Sequence, residues 1–357
     1  MSALAMHLKR QDFYVFGSDI AKNEFVFKLQ QENIKIFDHH SPENVVGADV
    51  VVYNSAIPEN SPELVEAKRR NLTIIKRSEL LNEVLSNYKN VIAISGTHGK
   101  TTTTAMIAEI FLKTKPITAF VGGESYSFGN FNYATSDTAI TEACEFEKNL
   151  LDIHPTVSVI LNLDRDHLDT YQNKEEMVET FARFSNNSIK IVNKSDSACL
   201  PLKADITFGF DTKCNFYAKN IIETKYGISF SVFKNGKSLG KIKLKLNGKH
   251  NALNALSAIA VADLYDLPLK TVKSALKDFK GVKRRNEFIG QINKCDFYAD
   301  YAHHPTEISV SLNALRKKLK GKTLIIFQPH TYSRTKFLLN EFVDSLNCGL
   351  DIAIYKT

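Results

Sequence analysis

The apolar run Val91-Ile92-Ala93-Ile94 is followed closely by Gly96-Thr97-His98-Gly99-Lys100-Thr101-Thr102-Thr103-Thr104, and that stretch by a helical pattern over residues 105–111. A strand, a glycine turn, a lysine and a helix start in this order leave a chain few choices. The glycines let backbone approach an anion closely, the opening turn of a helix has N–H groups without intrahelical partners, and the lysine adds a point charge. The pattern predicts a parallel α/β sheet with a phosphate cradle at the carboxyl end of a strand and a nucleoside triphosphate as its ligand. A surface turn is the bland alternative, but threonines in series behind a lysine, directly after a buried strand, are poor turn chemistry. The loop is not the general P-loop, because Ile94 stands where that pattern has its first glycine.

At 357 residues the chain has length for two or three ordinary domains. With 43% hydrophobic and 24% charged residues and no apolar run long enough to cross a bilayer, it reads as globular, without membrane insertion. The net charge of +7 is scattered over residues 68–70, 241–245, 283–285 and 316–318. No helix carries a basic stripe with interleaved aromatics, which argues against nucleic acid and for a small polyanionic substrate. Five cysteines without any CxxC pair argue against zinc and disulfides and for a reducing compartment. The opening residues have no charged segment followed by an apolar one, so the expectation is a cytoplasmic protein, a monomer or weak homodimer.

Strand and helix signals alternate through residues 13–75, predicting a small parallel βαβ unit preceded by a helix over residues 1–10. A second unit opens near Asn90. Its apolar runs at residues 138–140, 157–161 and 189–192 are interleaved with helical patterns, and strand signals crowd residues 206–246, where Asn235-Gly236 predicts a hairpin and an antiparallel appendage. Helices are expected at residues 251–265 and 269–279. A third unit from about Glu287 has strands at 295–299, 323–327 and 351–354, with helices at 307–318 and 335–346 between them.

In a doubly wound sheet the carboxyl ends of the strands line one crevice, so Glu142 and His167, each following a strand, should face the phosphate loop. A carboxylate, an imidazole and the Thr101 hydroxyl beside triphosphate oxygens could hold Mg²⁺. Asn251 and Asn254 lie three apart on one helix face and could read an adenine edge or orient phosphate, although Asn251 could equally be a plain N-cap. Arg285 at a domain junction could clamp transferring phosphoryl charge, and Asp300 could hold a ribose.

Taken together, Gly17-Ser18-Asp19, HSPEN from His40, NSAIPENSPE from Asn54, GTHGKTTT from Gly96, EACE from Glu142, NLDRDHLDTY from Asn162, HNALNA from His250, GVKRR from Gly281, DYAHHPTEI from Asp300 and FQPHTYSRT from Phe327 resemble the Mur ligase family along essentially the whole chain. The resemblance implies an α/β fold of three domains. They are a Rossmann-like UDP-sugar binder (residues 1–88), a P-loop ATPase domain with an antiparallel appendage (89–286) and a Rossmann-like C-terminal domain (287–357). It implies ATP-dependent joining of L-alanine to the carboxylate of UDP-N-acetylmuramate through an acyl phosphate. The alternatives are ligation of a preformed murein peptide, or an inactive nucleotide-binding remnant.

Carried over by position, Gly96, Thr97, His98, Gly99, Lys100, Thr101 and Thr102 would cradle ATP, with Lys100 on the β- and γ-phosphates. Thr101 and Glu142 would hold one Mg²⁺, and His167 a second. Asn251 and Asn254 would contact the nucleotide, Arg285 its phosphates and Asp300 its ribose. Ser18, Asp19, His40 and Ser55 would face the uridine diphosphate, and His330 and Arg334 the incoming amino acid. Relative to the family pattern, the opening strand and glycine turn are missing and the last domain stops early, so a chain that binds ATP more securely than it turns it over is expected.

Overall fold

The computed structural model describes residues 1–164, 170–319 and 321–355. The chain opens with α1 (Ser2–Arg10), β1 (Phe16–Ser18), α2 (Glu24–Gln31), β2 (Lys35–Phe37), β3 (Val50–Tyr53), α3 (Pro62–Arg69), β4 (Thr73–Lys76) and α4 (Arg77–Ser86). The Asn23 side chain caps α2 by accepting from the N–H groups of Phe25 and Val26, and Ser61 caps α3 with proline in its first turn. The expected parallel sheet is divided. β1 pairs with β2 and β3 with β4, and no ladder joins the two pairs among the described residues. β1 is only three residues long because Phe13 and Tyr14, expected within it, lie exposed outside the ladder. Helix α1 touches α2 of its own unit and also packs against the next one, with Leu4 in a core shared with Leu81 and Phe120.

The middle unit comprises β5 (Asn90–Ser95), α5 (Lys100–Leu112), β6 (Thr118–Ser125), β7 (Gly129–Asn132), β8 (Thr138–Glu142), β9 (Val157–Ile160), α6 (Lys174–Phe184), β10 (Ile189–Asn193), β11 (Ile206–Gly209), β12 (Phe216–Thr224), β13 (Gly227–Lys234), β14 (Lys237–Leu244), α7 (Lys249–Leu264) and α8 (Leu269–Asp278). Its ten strands form one sheet in the order β14-β13-β12-β11-β10-β9-β5-β8-β6-β7. The expected appendage is therefore the far edge of this sheet, where β12, β13 and β14 run antiparallel around a turn with Asn235 and Gly236 both at positive φ. The antiparallel β6–β7 pair at the other edge carried no clear signal in the sequence.

Both faces of the sheet are covered, so β5 is apolar from Val91 to Ile94. Ile92 and Ile94 face a core built with α5, α7 and α8, while Val91 and Ala93 face one built with α4, α6 and α1. Helix α5 lies between the sheet and its neighbouring helices, and Thr103 and Thr104, which read in sequence as part of the phosphate loop, are fully buried in it.

The last unit has β15 (Glu287–Ile292), β16 (Cys295–Ala299), α9 (Pro305–Leu315), β17 (Leu324–Phe327), α10 (Tyr332–Phe337), α11 (Leu339–Leu346) and β18 (Asp351–Ile354). β15 and β16 make a hairpin and β17 and β18 a parallel pair, with no ladder joining the two among the described residues. The helix expected over residues 335–346 breaks at Leu338, which takes a non-helical ψ of 27°. Ile308, Phe327, Phe342 and Leu346 form its small core.

Candidate active site

Strand β5 sits between β8 and β9, and the chain leaves it toward both sides of the sheet. At such a switch point the carboxyl ends of neighbouring strands open a crevice. Here it receives the phosphate loop from β5, Glu142 from β8 and residues 162–164 from β9. Gly96 and Gly99 hold positive φ of 135° and 85°, values that favour glycine. A Cβ on Gly99 would lie 2.9 Å from Asn254 Oδ1, so the loop is closely backed by α7. Asn162 clips the loop from below: its Oδ1 accepts from the His98 N–H at 2.7 Å and its Nδ2 donates to the His98 carbonyl at 2.9 Å.

Lys100 turns back into the loop. Its Nζ donates to the carbonyls of Gly96 (2.6 Å) and Thr97 (3.0 Å) and to both carboxylate oxygens of Glu145 (2.8 and 3.1 Å). Burial alone would favour the neutral amine, but the Glu145 charge holds the pKa above the ordinary lysine value. Thr101 Oγ1 donates to Glu142 Oε2 at 3.0 Å, and the Gly122 N–H donates to Glu142 Oε1. Burial pushes the Glu142 carboxyl up, against the lowering effects of that N–H and of Lys100. A hydroxyl and a carboxylate together at the mouth of a phosphate cradle are the hard oxygen donors that suit Mg²⁺. His167, expected as a further metal ligand, lies outside the described residues.

The cleft has a volume of about 1110 Å³ and runs from the loop past Asn193 and α7 to Arg285 and α9. Asn254 Nδ2 donates to Asn251 Oδ1 at 3.1 Å and Asn251 Nδ2 to the Asn247 carbonyl at 2.7 Å, so the two amides form one buried chain along the wall. Arg285 reaches Glu307 at 3.6 Å and stacks over Tyr301 at 5.7 Å. Asp300 also lines the cleft and accepts from the N–H groups of Asn286 and Ala302, each at 2.7 Å. His98 bridges units: its Nε2 lies 3.0 Å from Asp164 and its Nδ1 3.4 Å from Glu307 on α9. Burial would lower its pKa, but these two carboxylates raise it to about 9.

The remaining expected residues are spread out. Ser18 and His40 meet at Glu63: Ser18 Oγ donates to its Oε1 at 2.8 Å, His40 Nδ1 lies at 3.0 Å and Asn44 Nδ2 donates at 3.1 Å. Burial acts to raise the Glu63 pKa, but these partners hold it below the usual glutamate value. Asp19 caps its own turn through the Ala21 N–H, and Ser55 turns to Asn149 at 3.5 Å, so neither shares that cluster's hydrogen bonds. His330 lies 5.3 Å from the His303 ring, and Arg334 sits on α10.

Glu145, Asp164, Glu307 and Glu63 were not singled out from sequence. All four lie inside quoted motifs, but nothing in their spacing marks the first three as partners of Lys100 or His98. Glu63 reads as an ordinary acid in the first turn of a helix.

Comparisons with known proteins place this geometry. The chain matches the Mur ligase middle domain over residues 94–262, the Mur ligase family catalytic domain over residues 1–89 and the Mur ligase glutamate ligase domain over residues 284–355. It is 41% identical over 357 residues to a UDP-N-acetylmuramate–L-alanine ligase of Clostridium botulinum, covering 97% of this chain and 77% of that protein. The ligase of the same name from Clostridium acetobutylicum is 42% identical, with 98% and 79% covered. The crystal structure of UDP-N-acetylmuramate-alanine ligase from Thermotoga maritima superposes with a TM-score of 0.87 at 30% identity, covering all of this chain and 88% of that one. A murein peptide ligase from Psychrobacter arcticus shares the fold, with a TM-score of 0.76 at 21% identity and coverage of 100% and 88%. The chain belongs to the Mur ligase family.

Proposed function

We infer that this chain is an ATP-dependent ligase that joins L-alanine to the carboxylate of UDP-N-acetylmuramate in peptidoglycan precursor synthesis. One observation carries the reading: Thr101 lines the cleft at the switch point of the sheet, its hydroxyl donates to Glu142, and Lys100 lies near enough to act on that carboxylate. The chain around that cleft is 41% identical to a ligase named for this reaction.

In this reading Lys100 exchanges Glu145 for the β- and γ-phosphates, and the loop glycines admit the phosphate oxygens to backbone N–H groups. Thr101 and Glu142 would hold one Mg²⁺ and His167 a second, and Mg²⁺ when bound would offset phosphate charge. Asn251 and Asn254 line the nucleotide side, Asp300 the ribose and Arg285 the phosphates. Ser18, Asp19, His40 and Ser55 are assigned to the uridine diphosphate, and His330 with Arg334 to the amino acid. A carboxylate oxygen of the muramate attacks the γ-phosphorus, ADP leaves, and the acyl phosphate that forms carries a good leaving group. The alanine amine then attacks the acyl carbon and inorganic phosphate departs from the tetrahedral intermediate, leaving an amide. Holding both carbonyl chemistry and phosphate inside one closed cleft supplies proximity. The setting we assign is the reducing cytoplasm, with the chain acting as a monomer or weak homodimer.

Phosphate release tests the reading. Turnover is expected only with UDP-N-acetylmuramate and alanine together. Preference for a tripeptide over alanine would make the chain a peptide ligase instead, and ATP binding without any carboxylate-dependent turnover would make it a remnant.

A further inference from the structure

His98 stands in the middle of the phosphate loop, and its ring packs at 5.1 Å from that of His304, which caps the N-terminus of α9. Asp164 lies between them, its Oδ2 3.0 Å from His98 Nε2 and 3.9 Å from His304 Nδ1. One ligand atom from each of the three falls within 4.8 Å of the others. Two further groups orient this set. Glu307 sits 3.4 Å from His98 Nδ1, where it can accept that N–H, so Nε2, which faces the cluster, is the nitrogen that gives up its proton when a metal binds. Thr306 Oγ1 donates to Asp164 Oδ2 at 2.7 Å. His304 is 4% exposed, so its ring is held by packing.

We propose that His98, Asp164 and His304 bind a single transition-metal dication of the zinc class, which fastens the C-terminal unit to the phosphate loop. Two imidazoles and one carboxylate with an open fourth position match borderline metals such as Zn²⁺ or Co²⁺. They do not match Mg²⁺, which takes oxygen donors and keeps its waters. The site is thus distinct from the Thr101–Glu142 pair. The sequence argued against zinc from its cysteines alone, and this ligand set uses none. Binding requires the loop and α9 to stay in contact, because two ligands come from the middle unit and one from the last. His304 gives up its 3.3 Å bond from the Thr306 N–H if Nδ1 is the ligating nitrogen.

The test is titration of the nucleotide-free, Mg²⁺-free chain with CoCl₂, read by visible d–d absorption, followed by displacement with ZnCl₂. One equivalent of Co²⁺ is expected, released by Zn²⁺. His304→Ala and Asp164→Asn should abolish the band, and Glu307→Gln should weaken binding by about 10- to 100-fold. Far-UV circular dichroism of the metal-free variants establishes that they are folded. Thr101→Val should leave the Co²⁺ band unchanged. Absence of a one-to-one site in the unmutated chain, unaltered Co²⁺ affinity in folded His304→Ala, or loss of the band in Thr101→Val would each overturn the proposal.

Discussion

Replacing Lys100 by Met should do two separable things. Lys100 is the charge assigned to the triphosphate, so turnover should vanish. It is also one half of a buried pair, with Nζ 2.8 and 3.1 Å from the two oxygens of Glu145, whose side chain is only 2% exposed. Removing one partner of such a pair deprives the buried Glu145 carboxylate of the Lys100 charge, a loss of about 3–5 kcal/mol. Removing the charge of both should be far milder, because a neutral amide at residue 145 does not need the lysine. Lys100→Met is therefore expected to destabilise the ligand-free chain by about 3–5 kcal/mol, and Lys100→Met/Glu145→Gln by no more than about 1–2 kcal/mol, so that the second change recovers at least about 1 kcal/mol. Urea unfolding followed by far-UV circular dichroism reads this directly, and since the chain has no tryptophan it is preferable to fluorescence. Both variants should release no phosphate. If Lys100→Met unfolds at the same urea concentration as the unmutated chain, or if adding Glu145→Gln recovers nothing, the pair is not what holds this loop, and the argument fails.

Three further outcomes are expected. Gly99→Ala puts a Cβ at a φ of 85° and 2.9 Å from Asn254 Oδ1, so it should cost about 1–2 kcal/mol of backbone strain and weaken ATP binding measured by calorimetry; unchanged affinity would show that the close backing of the loop is unimportant. Among the described residues Thr104 Oγ1 is buried without a hydrogen-bond partner, so Thr104→Val should raise stability by about 1 kcal/mol while leaving phosphate release intact, and a drop in the unfolding midpoint would reverse that reading. Burial lowers the His250 pKa to about 4, so the folded chain resists a proton that the unfolded chain accepts below about pH 6.5. Stability should accordingly fall by up to about 3 kcal/mol as pH drops from about 6.5 to about 4, and His250→Asn should flatten that part of the profile.

Much of this protein was legible from local order along the chain. A buried strand, glycines at two positive-φ positions and a lysine at a helix start are consequences of backbone geometry and helix polarity, which act over a dozen residues. Hence the phosphate loop, α5, and the placement of Glu142 at a strand end could be read directly. The Asn235-Gly236 turn was visible for the same reason, since its φ values restrict composition within two residues.

Partnership at long range was not legible. Thr101 and Thr104 look alike in sequence, yet one hydroxyl meets Glu142 and the other is lost in the core, because α5 packs on the sheet along one side and is covered by α7 and α8 along the other. Likewise no spacing tells Lys100 that Glu145 rather than Glu142 will hold it, or brings His98 against Glu307 across 209 positions. By itself the sequence determined the strand, the glycine-lysine loop and the helix start that make a candidate phosphate cradle, since backbone geometry there is local. Only tertiary structure decided which charges meet around that loop, because burial and electrostatics depend on distances in space that strand order and domain contact create.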